Sequence, residues 1–228
     1  PGFLAVCALR DGGAGMTGSV LTHYERRVAL GEIEADAAQR EAAARLDRLA
    51  AELAQWSKGG RSGFFSTLFR PRVAAPRGVY LHGAVGRGKT MLMDLFHDTV
   101  RFQPKRQAHF HEFMSDVHER IQRGRATTDG DPIPFVAAEI AAEAGLLCFD
   151  EMTVTDIADA MILSRLFKAL LERGVVVVAT SNAPPKRLYW NGLNRQLFLP
   201  FIALLEAHMD VVELKSAKDF RLDKLAGR

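Results

Sequence analysis

The most constraining feature of this chain is the segment GAVGRGKT at residues 83–90. It fits the phosphate-loop pattern of a glycine, four residues and then Gly-Lys-Thr. An apolar run at residues 79–81 precedes it, and residues 91–96 follow with the apolar spacing of a helix. Glycines let backbone amides surround phosphate oxygens, and the start of a helix adds positive potential. The segment therefore predicts a strand, a phosphate-binding loop and a helix that together bind a nucleotide.

The residues of this loop have separate expected roles. Lys89 is expected to reach the β- and γ-phosphates of ATP as a mobile charge, and the Thr90 hydroxyl to ligate the Mg²⁺ ion on the same oxygens. ATP and Mg²⁺ are therefore the predicted cofactors. Nucleotide contacts are expected from the whole stretch, which comprises Gly83, Ala84, Val85, Gly86, Arg87, Gly88, Lys89, Thr90 and Met91.

A second motif supplies acidic side chains. The apolar run at residues 145–149 ends in Asp150 and Glu151. A buried strand would therefore deliver two carboxylates to the carboxyl edge of the sheet, where ligands of open α/β sheets bind. Asp150 is expected to hold Mg²⁺ through its water shell, and Glu151, directed to the other side, to polarise the attacking water. The two motifs together have the pattern of Walker A and Walker B.

Apolar runs alternate with helical patterns along the chain, which predicts an α/β P-loop NTPase with a parallel sheet sandwiched by helices. One of the strands falls between the two motifs, as in ATPases that carry a catalytic glutamate, and a guanine-binding N-K-x-D segment is absent from the sequence. An ATPase is therefore favoured over a GTPase. The five predicted strands are residues 79–81, 108–113, 145–149, 175–180 and 210–214.

The N-terminal part has helical periodicity and a different composition. A short helix is predicted at residues 19–30 and a longer amphipathic one from Asp36, with Asp36 and Gln39 as a capping pair. This arm is either a contact for a partner or neighbouring subunit, or a cap that covers the sheet. The predicted parts are an irregular leader or cloning remnant, a helical arm, a linker and the ATPase core, at residues 1–15, 16–57, 58–77 and 78–228.

Two further polar residues are candidates for catalysis. Asn182 follows the apolar run at residues 175–180, where it would contact the lytic water or the γ-phosphate as a sensor 1 residue, or else cap the following turn. Arg195 lies between that strand and the next, from where it would reach the ATP of a neighbouring subunit as an arginine finger. A surface charge is the alternative, and the competing arginines are Arg165, Arg173 and Arg187.

Three histidines, His109, His111 and His118, suggest a metal site, since the first two would share one face of the strand predicted there. We favour packing roles for them, because no acidic residue or cysteine completes a site at ligand spacing. The two cysteines, Cys7 and Cys148, are far apart, which disfavours a disulfide framework and favours a reducing compartment. No signal peptide or membrane-spanning stretch is predicted.

The motifs together resemble the AFG-like ATPases of the AAA+ class, a family with bacterial cell-division members of the ZapE type and mitochondrial LACE-type members. The resemblance runs from about residue 24 to residue 222. Within the family pattern, residues 83–90 match Walker A, Asp150 and Glu151 match Walker B, Asn182 matches sensor 1 and Arg195 the finger. The segments that carry it are GVYLHGAVGRGKTMLMDLF, HFHEFM, LLCFDEMTVTDIADAMILSRLF, VVVVATSNAPP and NGLNRQLFLPFIALL.

The resemblance implies a cytoplasmic ATPase, peripheral to the inner membrane, that modulates a protein partner such as the division-ring protein FtsZ and assembles into a homo-oligomer. Relatives continue for about a hundred residues beyond the fifth strand, so the C-terminal lid is expected to be missing and turnover to be reduced. One alternative is a helicase-loader ATPase that uses basic residues between Arg101 and Arg125 on DNA. Nucleic acid is nonetheless not the expected partner, because a basic run of this kind is more often a solvated face, and the net charge of +3 neither suggests nor excludes nucleic acid. A nucleotide-gated binding module without turnover is the other alternative.

Overall fold

A parallel five-stranded sheet forms the centre of the molecule, in the order β2-β3-β4-β1-β5. The computed structural model describes residues 18–60, 74–127 and 130–215. The predicted leader and residues 61–73 of the predicted linker lie outside these ranges. Four of the five predicted strands occur within a residue or two of their expected positions. The strands are β1 Gly78–His82, β2 Lys105–His109, β3 Leu146–Asp150, β4 Val176–Ser181 and β5 Met209–Glu213.

Helices cover both faces of the sheet, as expected for central strands such as β3 and β4, which are buried along their whole length. One face packs against the first three helices and the other against the last four, which gives two hydrophobic clusters. Two short 3₁₀ turns, Pro185–Arg187 and Arg195–Leu197, precede the last helix. The α-helices are α1 Val20–Ala29, α2 Ala37–Gly60, α3 Lys89–Thr99, α4 Phe110–Thr127, α5 Ile133–Glu143, α6 Ile157–Glu172 and α7 Leu199–His208.

The strand predicted at residues 108–113 is wrong in position. Strand β2 occupies Lys105–His109, and helix α4 begins at Phe110. Buried residues in the first turns of α4 recur at helical spacing, at Phe110, Phe113, Met114 and Val117. The polar residues of β2 fit its position at the edge of the sheet, since an edge strand has only one strand neighbour and is less enclosed. His109 and His111 consequently do not share a strand face.

Helix α2 of the predicted arm packs directly against β1 of the sheet, and α1 packs against α2 and α3. Leu46 and Leu49 of α2 belong to the same buried cluster as Val79 and Leu81 of β1. Of the two interpretations of the arm, a cap over the sheet therefore matches the packing of the described residues. Asp36 does cap α2, since its Oδ1 accepts from the amides of Ala38 at 2.8 Å and Gln39 at 3.2 Å. The Gln39 side chain does not reciprocate and contacts the phosphate loop instead.

Strand β4 lies between the strands that carry the two motifs. It pairs with β1, which leads into the phosphate loop, and with β3, which ends at Asp150. All strands are parallel, so their carboxyl ends meet at one edge of the sheet. That edge gathers residues 83–90, Asp150 and Asn182 into one region.

Candidate nucleotide-binding site

The phosphate loop leaves β1 at Gly83 and enters α3 at Lys89. Gly86 and Gly88 have φ angles of 78° and 76°, a left-handed conformation that glycine adopts without steric cost. The Gly83 amide donates to the Ser181 carbonyl at 3.3 Å, which ties the start of the loop to the end of β4. The loop therefore curls around the N-terminus of α3, as the motif predicts.

Lys89 is buried at the mouth of the loop, with 8% of its surface exposed. Its ammonium group donates to the carbonyls of Gly83 and Ala84, both at 2.9 Å. Burial lowers the pKa of Lys89, and the nearby carboxylates of Asp150 and Glu151 oppose this shift. A cation held in this way can exchange loop carbonyls for phosphate oxygens without leaving the site.

Thr90 and Asp150 form a pair of oxygen ligands suited to a divalent cation. The Thr90 hydroxyl lies 3.3 Å from Oδ1 of Asp150, across the gap between α3 and β3. Asp150 is only 5% exposed. Hard oxygen donors of this kind, placed beside a phosphate loop, fit Mg²⁺, which binds proteins through one or two carboxylates plus phosphate oxygens. The residues present thus fit a magnesium nucleotide.

Thr180 is a site residue that was missed in the sequence. Its hydroxyl donates to Oδ1 of Asp150 and accepts from the Glu151 amide at 3.0 Å. The Thr180 carbonyl accepts from the Met152 amide at 2.7 Å, so both turn amides after β3 are fixed by one residue of β4. The available signal was the pair of hydroxyl residues, Thr180 and Ser181, at the end of an otherwise apolar strand.

Glu151 and Asn182 line a common cavity of about 490 Å³ at the carboxyl edge of the sheet. Glu151 is exposed and has a φ of 54°, a left-handed backbone conformation that is uncommon for a non-glycine residue. Asn182 is exposed directly after β4. Ser181, not Asn182, bonds the following turn, because its hydroxyl accepts from the Ala183 amide at 3.3 Å.

Arg195 does not line this cavity, whereas Arg187 does. The guanidinium carbon of Arg195 lies 5.0 Å from the centre of the Trp190 ring, and Nη2 donates to the Lys186 carbonyl. Of the other candidates, Arg165 pairs with Asp131, and Arg173 donates to the carbonyls of Ala169 and Pro134. Of the four arginines, Arg187 is therefore the one that lines the cavity together with Asn182, and Arg195 lies outside it.

The three histidines do not come together as ligands. The rings of His109 and His111 stack with centres 5.8 Å apart, while His118 Nε2 lies 2.6 Å from Asp159 Oδ1 on helix α6. Within residues 18–60, 74–127 and 130–215, there is no group of three His, Cys, Asp or Glu side chains that could hold a metal ion. The same part of the chain contains no helix long and apolar enough to span a membrane.

This sheet order, with a phosphate loop after β1 and acidic residues after β3, defines a P-loop NTPase of the AAA+ type. Solved structures with the same fold include DnaI, with a TM-score of 0.54 and 14% identity over 81% of this chain and 89% of that one. Another is AMPPCP-bound DnaA from Aquifex aeolicus, with a TM-score of 0.52 and 15% identity over 88% of this chain and 54% of that one. The chain belongs to the AFG1-like ATPase family, which it matches over residues 18–227.

Curated relatives are considerably more similar in sequence. Lactation elevated protein 1 homolog B of Danio rerio is 51% identical over 164 residues, which is 67% of this chain and 33% of that protein. Cell division protein ZapE of Escherichia coli (strain K12) is 48% identical over 149 residues, which is 65% of this chain and 39% of that protein. The matched segments thus span between a third and two-fifths of these relatives.

Proposed function

We propose that this chain is a magnesium-dependent ATPase that couples hydrolysis to the remodelling of a protein partner. The observation that carries the ATPase part of the proposal is the approach of Thr90 to Asp150, 3.3 Å apart at the edge where Lys89 also lies. This arrangement combines a phosphate cradle, a mobile cation and a pair of cation ligands. Family membership over residues 18–227 supports the same activity.

The residues of the site have separate proposed roles in ATP hydrolysis. The loop amides and Lys89 bind and orient the phosphates, while Thr90 and Asp150 hold Mg²⁺, which neutralises charge on the phosphate oxygens when bound. Glu151 accepts the proton of the attacking water, and Asn182, which lines the same cavity, orients that water. Lys89 exchanges its bonds to the loop carbonyls for bonds to the phosphates.

Two substitutions test the site directly. Lys89→Ala removes the phosphate-binding cation and is expected to weaken ATP binding at least tenfold, since charge-assisted hydrogen bonds are lost. Glu151→Gln keeps the shape of the side chain and is expected to abolish turnover while ATP still binds. Lys168→Ala is the matched control, because this lysine is exposed and lies 4.0 Å from Glu172 on the surface of α6. Normal hydrolysis in both site variants would refute the assignment.

Arg195 is proposed to act on the ATP of a neighbouring subunit, with Arg187 as the competitor. Mixing Arg195→Ala with Glu151→Gln protein distinguishes action between subunits from action within one. If Arg195 acts in trans, mixed assemblies contain sites with both an intact Glu151 and a neighbour's Arg195, and activity is partly restored. No recovery on mixing, together with an active Arg195→Ala protein, would assign the role elsewhere, and Arg187→Ala then tests the competitor.

FtsZ is the proposed partner, on the ground that a relative with 48% identity is a cell division protein. The proposed location is the cytoplasm, with peripheral attachment to the inner membrane. ATPase assays with FtsZ, with single-stranded DNA and with neither separate the candidate functions. Stimulation by FtsZ supports partner remodelling, stimulation by DNA supports the helicase-loader alternative, and binding without turnover supports a nucleotide-gated module.

The DNA alternative is disfavoured by the contacts of three of the six basic residues between Arg101 and Arg125. Lys105 donates to the carbonyls of His97 and Val100, at the end of α3. Arg106 lies 2.9 Å from Asp116, and Arg120 contacts the same carboxylate. Side chains that already neutralise carboxylates or cap a helix are less available to phosphates of a nucleic acid. The similarity to DnaI and DnaA at 14% and 15% identity concerns the fold alone.

A further inference from the structure

Arg87 connects the phosphate loop to helix α2. Its guanidinium forms an ion pair with Oδ2 of Asp36, the residue that caps α2. The same Nη2 atom donates to the Lys215 carbonyl, just after β5, at 2.7 Å. The Arg87 carbonyl in turn accepts from Nε2 of Gln39 at 3.0 Å. Arg87 is thus held through both its side chain and its backbone carbonyl, the first by Asp36 and the second by Gln39, at the start of α2.

The carboxylate that receives Arg87 is itself fixed in place. Oδ1 of Asp36 accepts from the amides of Ala38 and Gln39, which leaves Oδ2 for Arg87. The backbone of Asp36 is held by the Tyr24 hydroxyl of α1, which accepts from its amide at 2.9 Å and donates to its carbonyl at 3.0 Å. The Arg87 and Asp36 side chains are only 22% and 17% exposed, so solvent screens the ion pair less than a surface pair.

Helix α2 also limits the space around the last glycine of the loop. A Cβ atom added at Gly88 would lie 2.9 Å from Nε2 of Gln39, so the Gln39 side chain would have to shift away from the loop. The left-handed φ of 76° is what favours glycine at this position, and the Gln39 side chain lies directly against it. The first turn of α2 thus packs against residues 87 and 88 of the phosphate loop.

We propose that Asp36 and Gln39 are positioning residues for nucleotide binding, which hold residues 87 and 88 of the loop in the conformation that receives phosphates. The inference rests on the proposed nucleotide site. Neither side chain needs to touch the nucleotide, because a loop that is already ordered loses less conformational entropy when the ligand binds. The arm formed by α1 and α2 would thereby set the affinity for ATP as well as cover the sheet.

Two variants separate this role from the capping of α2. Asp36→Asn retains a good N-cap side chain but removes the charge that pairs with Arg87. Gln39→Met retains the length of the side chain but removes the donor to the Arg87 carbonyl. Each is expected to raise the Kd and the KM for ATP about three- to tenfold, the effect of one net hydrogen bond or partly buried ion pair, with kcat within about twofold of wild type.

The matched control is Arg40→Ala on the same helix turn. Arg40 pairs with Glu25 of α1 at 2.9 Å, and both side chains are about half exposed. This variant removes an ion pair between α1 and α2 that is remote from the loop, so ATP affinity is expected to be unchanged. A double variant of Asp36→Asn with Arg87→Gln should bind ATP more tightly than the product of the two single effects predicts, because both act on one contact.

Isothermal titration with ATP and steady-state kinetics, well below the unfolding temperature, decide the question. Wild-type affinity in both Asp36→Asn and Gln39→Met would overturn the inference, as would an equal loss in Arg40→Ala, which would indicate general loosening of the arm. If wild type fails to bind ATP, or Lys89→Ala binds it normally, the nucleotide site itself is wrong. The two failures are therefore distinguishable in one series of proteins.

Discussion

The hydroxyl oxygen of Thr90 lies 3.3 Å from a carboxylate oxygen of Asp150, although sixty positions separate the two residues in the chain. Each sits at the end of a rigid element, Thr90 in the first turn of α3 and Asp150 at the last position of β3. Rigid elements of the scaffold hold ligand oxygens more accurately than loops do. The pair is therefore placed for a cation by packing of the core.

The first prediction concerns the dependence of hydrolysis on magnesium. Thr90→Val keeps the shape of the side chain and removes the hydroxyl, so we expect turnover to fall at least tenfold and the Mg²⁺ concentration for half-maximal rate to rise. Thr90→Ser retains the oxygen and should behave nearly as wild type. ATPase rates measured across a magnesium titration check this. Unchanged magnesium dependence in Thr90→Val would contradict the role of the hydroxyl.

The second prediction concerns Thr180, which bonds both Asp150 and the Glu151 amide from a fully buried position. Thr180→Val leaves a buried carboxylate oxygen and an amide without this partner, so the free energy of unfolding should fall by about 1–3 kcal/mol. We also expect kcat to decrease, because the turn that presents Glu151 loses a constraint. Urea unfolding and steady-state kinetics measure the two effects, and Thr180→Ser is the control that should retain both properties.

The third prediction concerns the pH dependence of nucleotide binding. Burial lowers the pKa of Lys89, and Asp150 is the strongest group opposing that shift. Asp150→Asn removes this opposition, so the pKa should fall further and binding should be lost at a lower pH on the alkaline side. Fluorescent ATP titrated without magnesium from pH 7 to 10 isolates the effect from metal binding. Asp94→Asn changes an exposed residue of α3, the helix that begins with Lys89, and should leave the pH at which binding is lost unchanged.

The fourth prediction concerns the acid stability of the junction between the arm and the sheet. Asp210 lies 2.7 Å from Arg45 of α2 and from Arg77. Burial alone would raise the pKa of Asp210, but hydrogen bonds from Arg77 and Arg45 lower it overall. A lowered pKa stabilises the folded state above the unfolded value near 3.9, and this stabilisation disappears as the pH falls through the folded pKa.

Asp210→Asn should therefore lower the free energy of unfolding by about 1–2 kcal/mol at pH 7. The difference from wild type should persist down to about pH 5 and vanish below the folded pKa. Urea unfolding at a series of pH values measures it. A constant difference at every pH would mean that the carboxylate charge is not the cause.

The fifth prediction concerns the thiol of Cys148. The residue has no exposed surface, and burial raises its pKa to about 12. Since the thiolate is the reactive form, Cys148 should not react with iodoacetamide at pH 8 until the protein unfolds. Peptide mass spectrometry after labelling in buffer and in urea checks this. Rapid labelling of the native protein would show that β3 opens frequently.

Much of the site could be predicted because its motifs are local. The phosphate loop is one continuous segment, and Asp150 with Glu151 ends an apolar run, so strand, loop and carboxylates follow from adjacent residues. Strand β2 was misplaced because the alternating apolar residues of HFHEF imitate a strand, while the true edge strand reads as polar. The spacing of Phe110, Phe113, Met114 and Val117 contained the helical signal.

Contacts between distant segments could not be predicted in the same way. Gln39 reaches the carbonyl of Arg87 across 48 positions, and nothing in the local pattern of either segment indicates that they meet. The order of the strands is also a tertiary property, and it alone brings Thr180 beside Asp150. The gathering of the motif residues at one edge of a parallel sheet was foreseeable, whereas the neighbours that hold each group required the folded structure.

Because β4 is the central strand of the sheet, the site is especially sensitive to a change in the number of residues in this strand. A deletion of one residue inside Val176–Ser181 would send every later side chain of the strand to the opposite face. Thr180 would turn away from Asp150 and the start of the phosphate loop would lose its bond to Ser181, even though all the motif residues were still present. A change of length at Gly174, in the turn before the strand, leaves that alternation intact. Variation in this chain should thus be tolerated around β4 and excluded from within it.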